Sequence, residues 1–233
     1  IEDTYNGVSS DSDSDVEYCA MAIDVGTTTI VFSLIDVESG NTLATSSRVN
    51  SQRSFGSDVI SRVQLSSKGK LNELRKCIID DIVAGIDDIC TNNGTHIFDI
   101  KTIVISGNTT MCHILMGYDC TTLGAYPYTP VNIATIRTDT HSLLGIREDI
   151  PVVIPPGFTA YIGADISSGV IALHSLQHES SSENKVTYLL VDLGTNAEMV
   201  LSRKGEFTVT STAAGPAFEG VNISCGMPSV EGA

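Results

Sequence analysis

Met21-Ala-Ile-Asp-Val-Gly-Thr-Thr-Thr29 is a short apolar run that ends in a carboxylate, a glycine and three hydroxyl side chains. Its counterpart stands late in the chain, as Tyr188-Leu-Leu-Val-Asp-Leu-Gly-Thr-Asn-Ala197. In each, a strand of buried character closes on an aspartate, and the glycine that follows lets the backbone turn tightly. Backbone N–H groups and hydroxyls in such a turn are donors for phosphate oxygens, while the aspartate holds Mg²⁺ through water. One such turn is a weak signal, because Gly-Thr turns after strands are common. Two, each opening a β-hairpin pattern, point to a duplicated unit that closes on a nucleotide from both sides.

Both runs continue in the same way. After the first turn comes a β-branched strand, Thr29-Ile-Val-Phe-Ser-Leu34, then a hairpin turn at Glu38-Ser-Gly-Asn41 and a third strand over Thr42–Arg48. After the second come strands over Glu198–Arg203 and Phe207–Ser211, joined at Lys204-Gly-Glu206. Between the two sets, Gly56–Leu65 and Leu71–Cys90 carry apolar residues at helical spacing. In the second of these, Leu74, Cys77, Ile78, Ile82, Ile86 and Ile89 form one face, and Asn92-Asn-Gly94 stops it. Lys101–Ile105 reads as a buried strand, and Ser106-Gly-Asn-Thr-Thr110 as a turn capping a helix through Met116, with Gly117 as the stop. Tyr118–Gly145 reads mostly as loop, Val152–Ile154 as a short strand, and Gly163–Leu176 as a helix whose Ser167-Ser-Gly169 patch suits close packing on a sheet. Strands alternating with helices around a repeated hairpin give an α/β class: a duplicated mixed β-sheet with flanking helices, its second half incomplete. The expected organisation is an acidic disordered linker over 1–18, a first lobe over 19–160, and a connecting helix with the start of a second lobe over 161–233.

Composition narrows the partners. The chain has 233 residues and a formal net charge of −15, which argues against a nucleic-acid partner because phosphate backbones need clustered Lys and Arg. Glu2, Asp3, Asp11, Asp13, Asp15 and Glu17 crowd the first 18 positions, and the first basic residue is Arg48. No apolar run approaches the roughly 20 residues needed to cross a bilayer, so no membrane partner is expected. The six cysteines, Cys19, Cys77, Cys90, Cys112, Cys120 and Cys225, form no C-x-x-C pair. They read as small apolar packing residues of a cytoplasmic protein rather than as zinc or iron–sulfur ligands. His174 and His178 stand one helical turn apart without a third ligand nearby, and read as surface residues.

The paired turns resemble those of the acetate and sugar kinase, Hsp70 and actin superfamily. A closer likeness comes from several stretches in order: Asn50-Ser-Gln52 with Phe55-Gly-Ser-Asp-Val-Ile-Ser-Arg62, Ser106-Gly-Asn-Thr-Thr-Met111, Tyr161-Ile-Gly-Ala-Asp165, Val191–Glu198, and Ala214–Gly220 with Cys225-Gly-Met227. Over residues 20–233 the chain is similar to the ATP-dependent reductive activators of corrinoid proteins. That resemblance implies an actin-like ATPase fold of the ribonuclease H type and ATP and Mg²⁺ as ligands. It further implies a function in methyl-transfer systems: ATP use coupled to returning an oxidised Co(II) corrinoid to Co(I). The partners it implies are the corrinoid protein and an electron-donating ferredoxin-like domain, with a homodimer among the assemblies open to it. The 2Fe-2S cluster is expected in an N-terminal domain that this stretch does not include. Ala233 falls before the superfamily's glycine-rich adenosine motif. A small-molecule kinase of the same superfamily and a non-catalytic interaction module are the other classes the residues allow.

Roles follow position by position. Asp24 and Asp192 are the candidates for water-mediated Mg²⁺ contacts. Gly26, Thr27, Thr28 and Thr29 would hold phosphates from one side, and Gly194, Thr195 and Asn196 from the other; the plainer alternative is a pair of hairpin turns satisfying their own backbone. Asp165 opens the Gly163–Leu176 helix, where sugar kinases of the superfamily place a base, so it is a candidate to orient an attacking water; a helix cap suits it equally. Gly107, Asn108 and Thr109 border the cleft near the phosphates or the domain hinge, or simply cap their helix. Glu198 joins the metal shell or points away, depending on strand register.

Overall fold

The computed structural model describes residues 18–56, 58–178, 187–194 and 196–214. The acidic leader before residue 18, the 180–184 linker, Thr195, Cys225 and the glycine-bounded stretch over 215–220 lie outside the described residues.

Three strands, β1 (Cys19–Val25), β2 (Thr29–Asp36) and β3 (Thr42–Val49), form the first hairpin set. A kinked helical pair follows, α1 (Val59–Leu65) and α2 (Leu71–Asn93), then β4 (Ile100–Gly107) and α3 (Thr109–Met116). Next come β5 (Ile136–Asp139), α4 (Thr140–Leu144), β6 (Pro151–Ile154) and α5 (Ala164–His178). The second hairpin set is β7 (Tyr188–Leu193), β8 (Asn196–Arg203) and β9 (Glu206–Ala213). The first sheet has the order β3-β2-β1-β4-β6-β5, with β1, β4 and β6 parallel; the second is antiparallel, β7-β8-β9.

Alternation decides which face of β1 and β2 is buried. Cys19, Met21, Ile23 and Val25 point one way, joined by Ile30, Phe32 and Leu34 across the ladder. Against them α2 lays Leu74, Ile78, Ile82, Ile86 and Ile89, all essentially out of contact with water. Cys77, expected on that stripe, sits at its margin and is half-buried. The helix ends at Gly94, whose φ of 64° supplies the left-handed cap expected from Asn92-Asn-Gly94.

The closest approach of α2 to the sheet is at Gly85, where a Cβ would lie 2.1 Å from the tip of the Phe32 ring. Alanine favours a helix over glycine by about 1 kcal/mol, but overpacking a filled core costs about 1–3 kcal/mol. Because Phe32 is fully buried and has nowhere to swing, the clash should win. Gly85→Ala is expected to lower unfolding free energy by about 1–2 kcal/mol, read as a lower urea midpoint; an unchanged or raised midpoint would show that the sheet yields.

The span Tyr118–Gly145 is mostly loop, as expected, and it also holds β5 and α4. Asp139 caps α4 by accepting from the Ser142 N–H at 2.7 Å, and Gly145 closes it at φ 72°. A four-residue edge strand and a five-residue helix are too short for periodicity to reveal, although both cap residues were present to be seen.

The second sheet packs on α5. Ile162, Ile166 and Val170 meet Val200 in a small cluster flanked by Leu190 and Val209. Gly169 makes the approach possible, since its Cβ would already touch Leu190 Cδ2 at 3.3 Å. The β8–β9 hairpin turns on Lys204 (φ 54°) and Gly205 (φ 83°), two consecutive left-handed residues as a two-residue turn requires.

Candidate functional site at the carboxyl ends of the parallel strands

Ligands of open α/β sheets collect at the carboxyl ends of parallel strands, because the chain leaves each strand there as a loop that is free to vary. Here β1 ends at Asp24-Val25, and its parallel register sets Asp24 beside Ser106 and Val25 beside Gly107 of β4. The third parallel strand, β6, leads through Pro155-Pro-Gly157 to α5, which opens on Asp165. Two glycines let these ends close on one another. A Cβ at Gly107 would lie 2.8 Å from the Val25 carbonyl, and one at Gly163 would lie 2.5 Å from the Thr109 nitrogen. Thr109 Oγ1 also donates to the Thr159 carbonyl at 2.7 Å. The start of α5 is thereby pressed onto the β4–α3 turn.

That turn in turn touches the first phosphate-type loop. Asn108 caps α3 by accepting from the Met111 N–H at 3.0 Å, while its Nδ2 donates to Thr27 Oγ1 at 3.1 Å. It is therefore a helix cap, one of the alternatives that the sequence left open, and it also ties α3 to the first loop.

Within the loop itself, Gly26 donates to the Thr29 carbonyl at 3.0 Å, and a Cβ at Gly26 would overlap that oxygen. Three consecutive carbonyls are tied to the protein side. Gly26 O accepts from Asn50 Nδ2 at 2.9 Å, Thr27 O from Arg62 Nη2 at 2.5 Å, and Thr28 O from the Asn50 N–H at 2.9 Å. A trans peptide points its N–H opposite to its C=O, so the N–H groups that follow these carbonyls face away from Asn50 and Arg62. The second loop repeats the tight closure, with Gly194 donating to the Asn196 carbonyl at 2.8 Å; Gly194 and Asp192 are exposed.

The carboxylates converge electrostatically. Asp24 stands exposed at the cleft; burial of its surroundings raises its pKa most, the Asp192 charge adds to this, and a Ser106 hydrogen bond opposes it. Asp165 is pushed up to about 6, chiefly by burial, with Asp24 and Asp192 adding; its bond from the Ile166 N–H at 2.8 Å pulls the other way. Although a helix N-terminus favours an anion, desolvation wins. Glu198 is the cross-strand partner of Asp192 in β8 and rises to about 7, by burial first and then by Asp165 and Asp192. So Asp24 of the first hairpin feels Asp192 of the second, Asp165 of α5 feels both, and Glu198 feels Asp165 and Asp192. Cys112 lies among them: burial, Asp165 and Asp24 push its thiol up to about 12, which keeps it protonated and inert as a nucleophile. Among the described residues no three His, Cys, Asp or Glu side chains are placed to hold a metal directly. His174 is exposed, on the part of α5 that follows Asp165.

Sequence reasoning left three contributors without a role. Ser106 shares the Asp24 position across the ladder, Asn50 grips two loop carbonyls, and Arg62 holds the third. Asn50 and Arg62 fell within quoted stretches, but nothing local to them shows which carbonyl they reach.

A mixed α/β sheet flanked by helices, followed by a repeat of its opening hairpin, with acidic turns from both hairpins sharing one field, defines the actin-like class of fold. The chain belongs to the family of reductive activators of corrinoid proteins known as RACo: residues 19–178 match the profile described as the RACo middle region, and residues 186–233 match that of the C-terminal domain of RACo, the ASKHA domain. It is 31% identical over 221 residues to the corrinoid activation enzyme RamQ of Eubacterium limosum, covering 91% of this chain and 35% of RamQ. An 82-residue stretch is 38% identical to the Co(II) methylated amine-specific corrinoid protein reductase of Methanosarcina barkeri, covering 35% of this chain and 14% of that protein. Among solved structures, a reductive activator for corrinoid, iron-sulfur protein superposes with a TM-score of 0.77 at 35% identity, covering 92% of this chain and 34% of that one. The chain thus spans about a third of the length of RamQ and of that solved activator.

Proposed function

We propose that this chain supplies the phosphate-binding part of an ATP site in a reductive activator, and that ATP binding and hydrolysis there drive the return of a corrinoid protein from Co(II) to Co(I). The observation that carries the reading is the shared field of Asp24, Asp165, Asp192 and Glu198, drawn from two hairpins and one helix start. Carboxylates drawn together in this way, with Asp24, Asp165 and Glu198 raised in pKa, fit a bound cation. Family membership and the names of the relatives supply the corrinoid partner.

In this reading Asp24 and Asp192 hold Mg²⁺ through water, and the ion, when bound, neutralises the triphosphate. Gly26, Thr27, Thr28 and Thr29 present donors from the first loop, bordered by Gly107, Asn108 and Thr109. Gly194, Thr195 and Asn196 present theirs from the second. Asp165 orients the attacking water, and a carboxyl near 6 is close enough to neutrality to accept its proton as the water attacks. Phosphates bridging both loops draw the two hairpins together, and that closure changes how the partner's cobalt is held. The single electron comes from a ferredoxin-like 2Fe-2S domain outside this stretch. The same reading takes 19–160 as the first lobe, 161–233 as the connecting helix and the start of the second, and 1–18 as an acidic linker. It takes the cytoplasm as the location; among the described residues no helix is long and apolar enough to cross a membrane.

The direct test is phosphate release from Mg–ATP by the full-length protein, with and without the corrinoid protein, alongside the visible spectrum of the cobalt. Release stimulated by the partner, with ATP-dependent appearance of Co(I), is the expected result. Transfer of the phosphoryl group to a small acceptor, or Co(I) formation indifferent to ATP, would overturn it.

A further inference from the structure

Among the described residues, Arg62 is the one Arg, Lys, Asp or Glu side chain sealed completely from solvent, at 0% exposure. A cation in that position is costly unless every donor is met. Nε donates to the Gly56 carbonyl at 3.0 Å, Nη1 to Gln52 Oε1 at 3.0 Å and to Met111 Sδ at 3.3 Å, and Nη2 to the Thr27 carbonyl at 2.5 Å. Every one of these acceptors is neutral. Burial lowers the pKa to about 10, and the Asp58 charge works against that, so the guanidinium stays protonated at neutral pH.

A neutral side chain could fill the same space, so the charge itself calls for a reason. Thr27 lies in the loop whose Gly26 and Thr28 carbonyls are fixed by Asn50, and Arg62 fixes the one between them. The guanidinium thus sits one peptide behind the loop, sealed from solvent, where charge acts at longer range than in water. Asn50 and Gln52 complete the support: Asn50 Oδ1 accepts from the Gln52 N–H at 3.1 Å, and Gln52 Nε2 donates to the Leu74 carbonyl at 2.8 Å. The strut therefore rests on α2.

We propose that Arg62 is a positioning residue for polyphosphate: its fork sets the conformation of the Gly26–Thr28 loop, and its buried charge makes the loop's affinity rise with the number of phosphates. This rests on the reading of the cleft as an ATP site and names the part of the ligand that the residue discriminates.

The test is calorimetric binding of inorganic orthophosphate, pyrophosphate and triphosphate, each with Mg²⁺, to the full chain and to Arg62→Met and Arg62→Lys. In the parent protein, affinity should climb steeply along that series. In Arg62→Met the affinity for triphosphate should fall about 10- to 100-fold, the scale of a lost charged hydrogen bond, and the climb should flatten. Arg62→Lys keeps the charge but not the fork, so it should retain the climb at an affinity lowered about tenfold. Should Arg62→Met fail to fold, as judged by circular dichroism, the lysine variant decides alone: unchanged triphosphate binding overturns the proposal. A lowered melting temperature with the three affinities in their parental ratio also overturns it, because packing alone would do that. Absence of triphosphate binding by the parent protein overturns the ATP reading, and this proposal with it.

Discussion

Asp24→Asn is expected to slow ATP-dependent phosphate release by at least about 100-fold without lowering the melting temperature. The two halves of that expectation have separate causes. Asp24 ends β1 at the cleft, and the charge of Asp192 from the other hairpin already raises its pKa. In the absence of a cation, ionised Asp24 is therefore a strained charge, opposed by burial and by a second carboxylate. Asparagine keeps the shape and a hydrogen-bond partner for Ser106 while removing that charge, so folding stability should hold or rise slightly. Binding of the metal–triphosphate unit loses one of the two charges proposed to grip it, which bears directly on positioning and charge neutralisation in phosphoryl transfer. The measurement is steady-state phosphate release beside a thermal melt of the same preparation. Parental turnover in the variant would remove Asp24 from the site. A melting temperature several degrees lower would mean that the carboxylate serves the fold instead.

How much of this could be read in advance depends on the range of the interaction. Both hairpin sets were legible because strand alternation, turn glycines and hydroxyl-rich loops are local signals, and the structure closes both loops as expected, with Gly26 and Gly194 each donating within its own turn. The buried stripe of α2 was legible because it repeats over about four turns, from Leu74 to Ile89. Register was not. Glu198 stayed undecided in the sequence because a one-residue slip of β8 would send it to the other face; as the partner of Asp192 it faces the same field. The approach of Asp165 to Asp24 follows from parallel pairing of β1, β4 and β6 and from Gly163 lying against Asn108 and Thr109, none of which a linear pattern contains. Arg62 illustrates the limit most plainly: its acceptors lie 6, 10, 35 and 49 positions away, and an arginine in an amphipathic helix ordinarily reads as a solvated residue.

Glu198→Gln should stabilise the metal-free protein at pH 8 by about 1–2 kcal/mol, with the advantage fading to near zero at pH 5. The sign follows from the direction of the shifts. Glu198 moves from 4.5 to about 7 on folding, and Asp165 from 3.8 to about 6. Between the unfolded and folded values the native state binds more protons than the unfolded chain, so stability falls as pH rises through that window and levels off above about 7. Removing the Glu198 charge removes its share of the loss, which is why the variant gains at pH 8 and not at pH 5. The expected size is set below the full shift because Glu198 and Asp165 interact and each relaxes when the other is neutralised. Exposed carboxylates with lowered pKa values, such as Asp36 and Asp139, act in the opposite sense at lower pH, but they are common to both proteins and cancel in the difference. Urea unfolding of parent and variant in chelator at pH 5, 6, 7 and 8 isolates that difference. Adding Mg²⁺ with triphosphate at pH 8 should reverse the order, because the parent then meets the cation its carboxylates are arranged around, and the variant meets it with one charge fewer. A stability difference that stays constant across pH would place Glu198 outside the shared field, and with it the case for a single cleft between the two hairpins would fail.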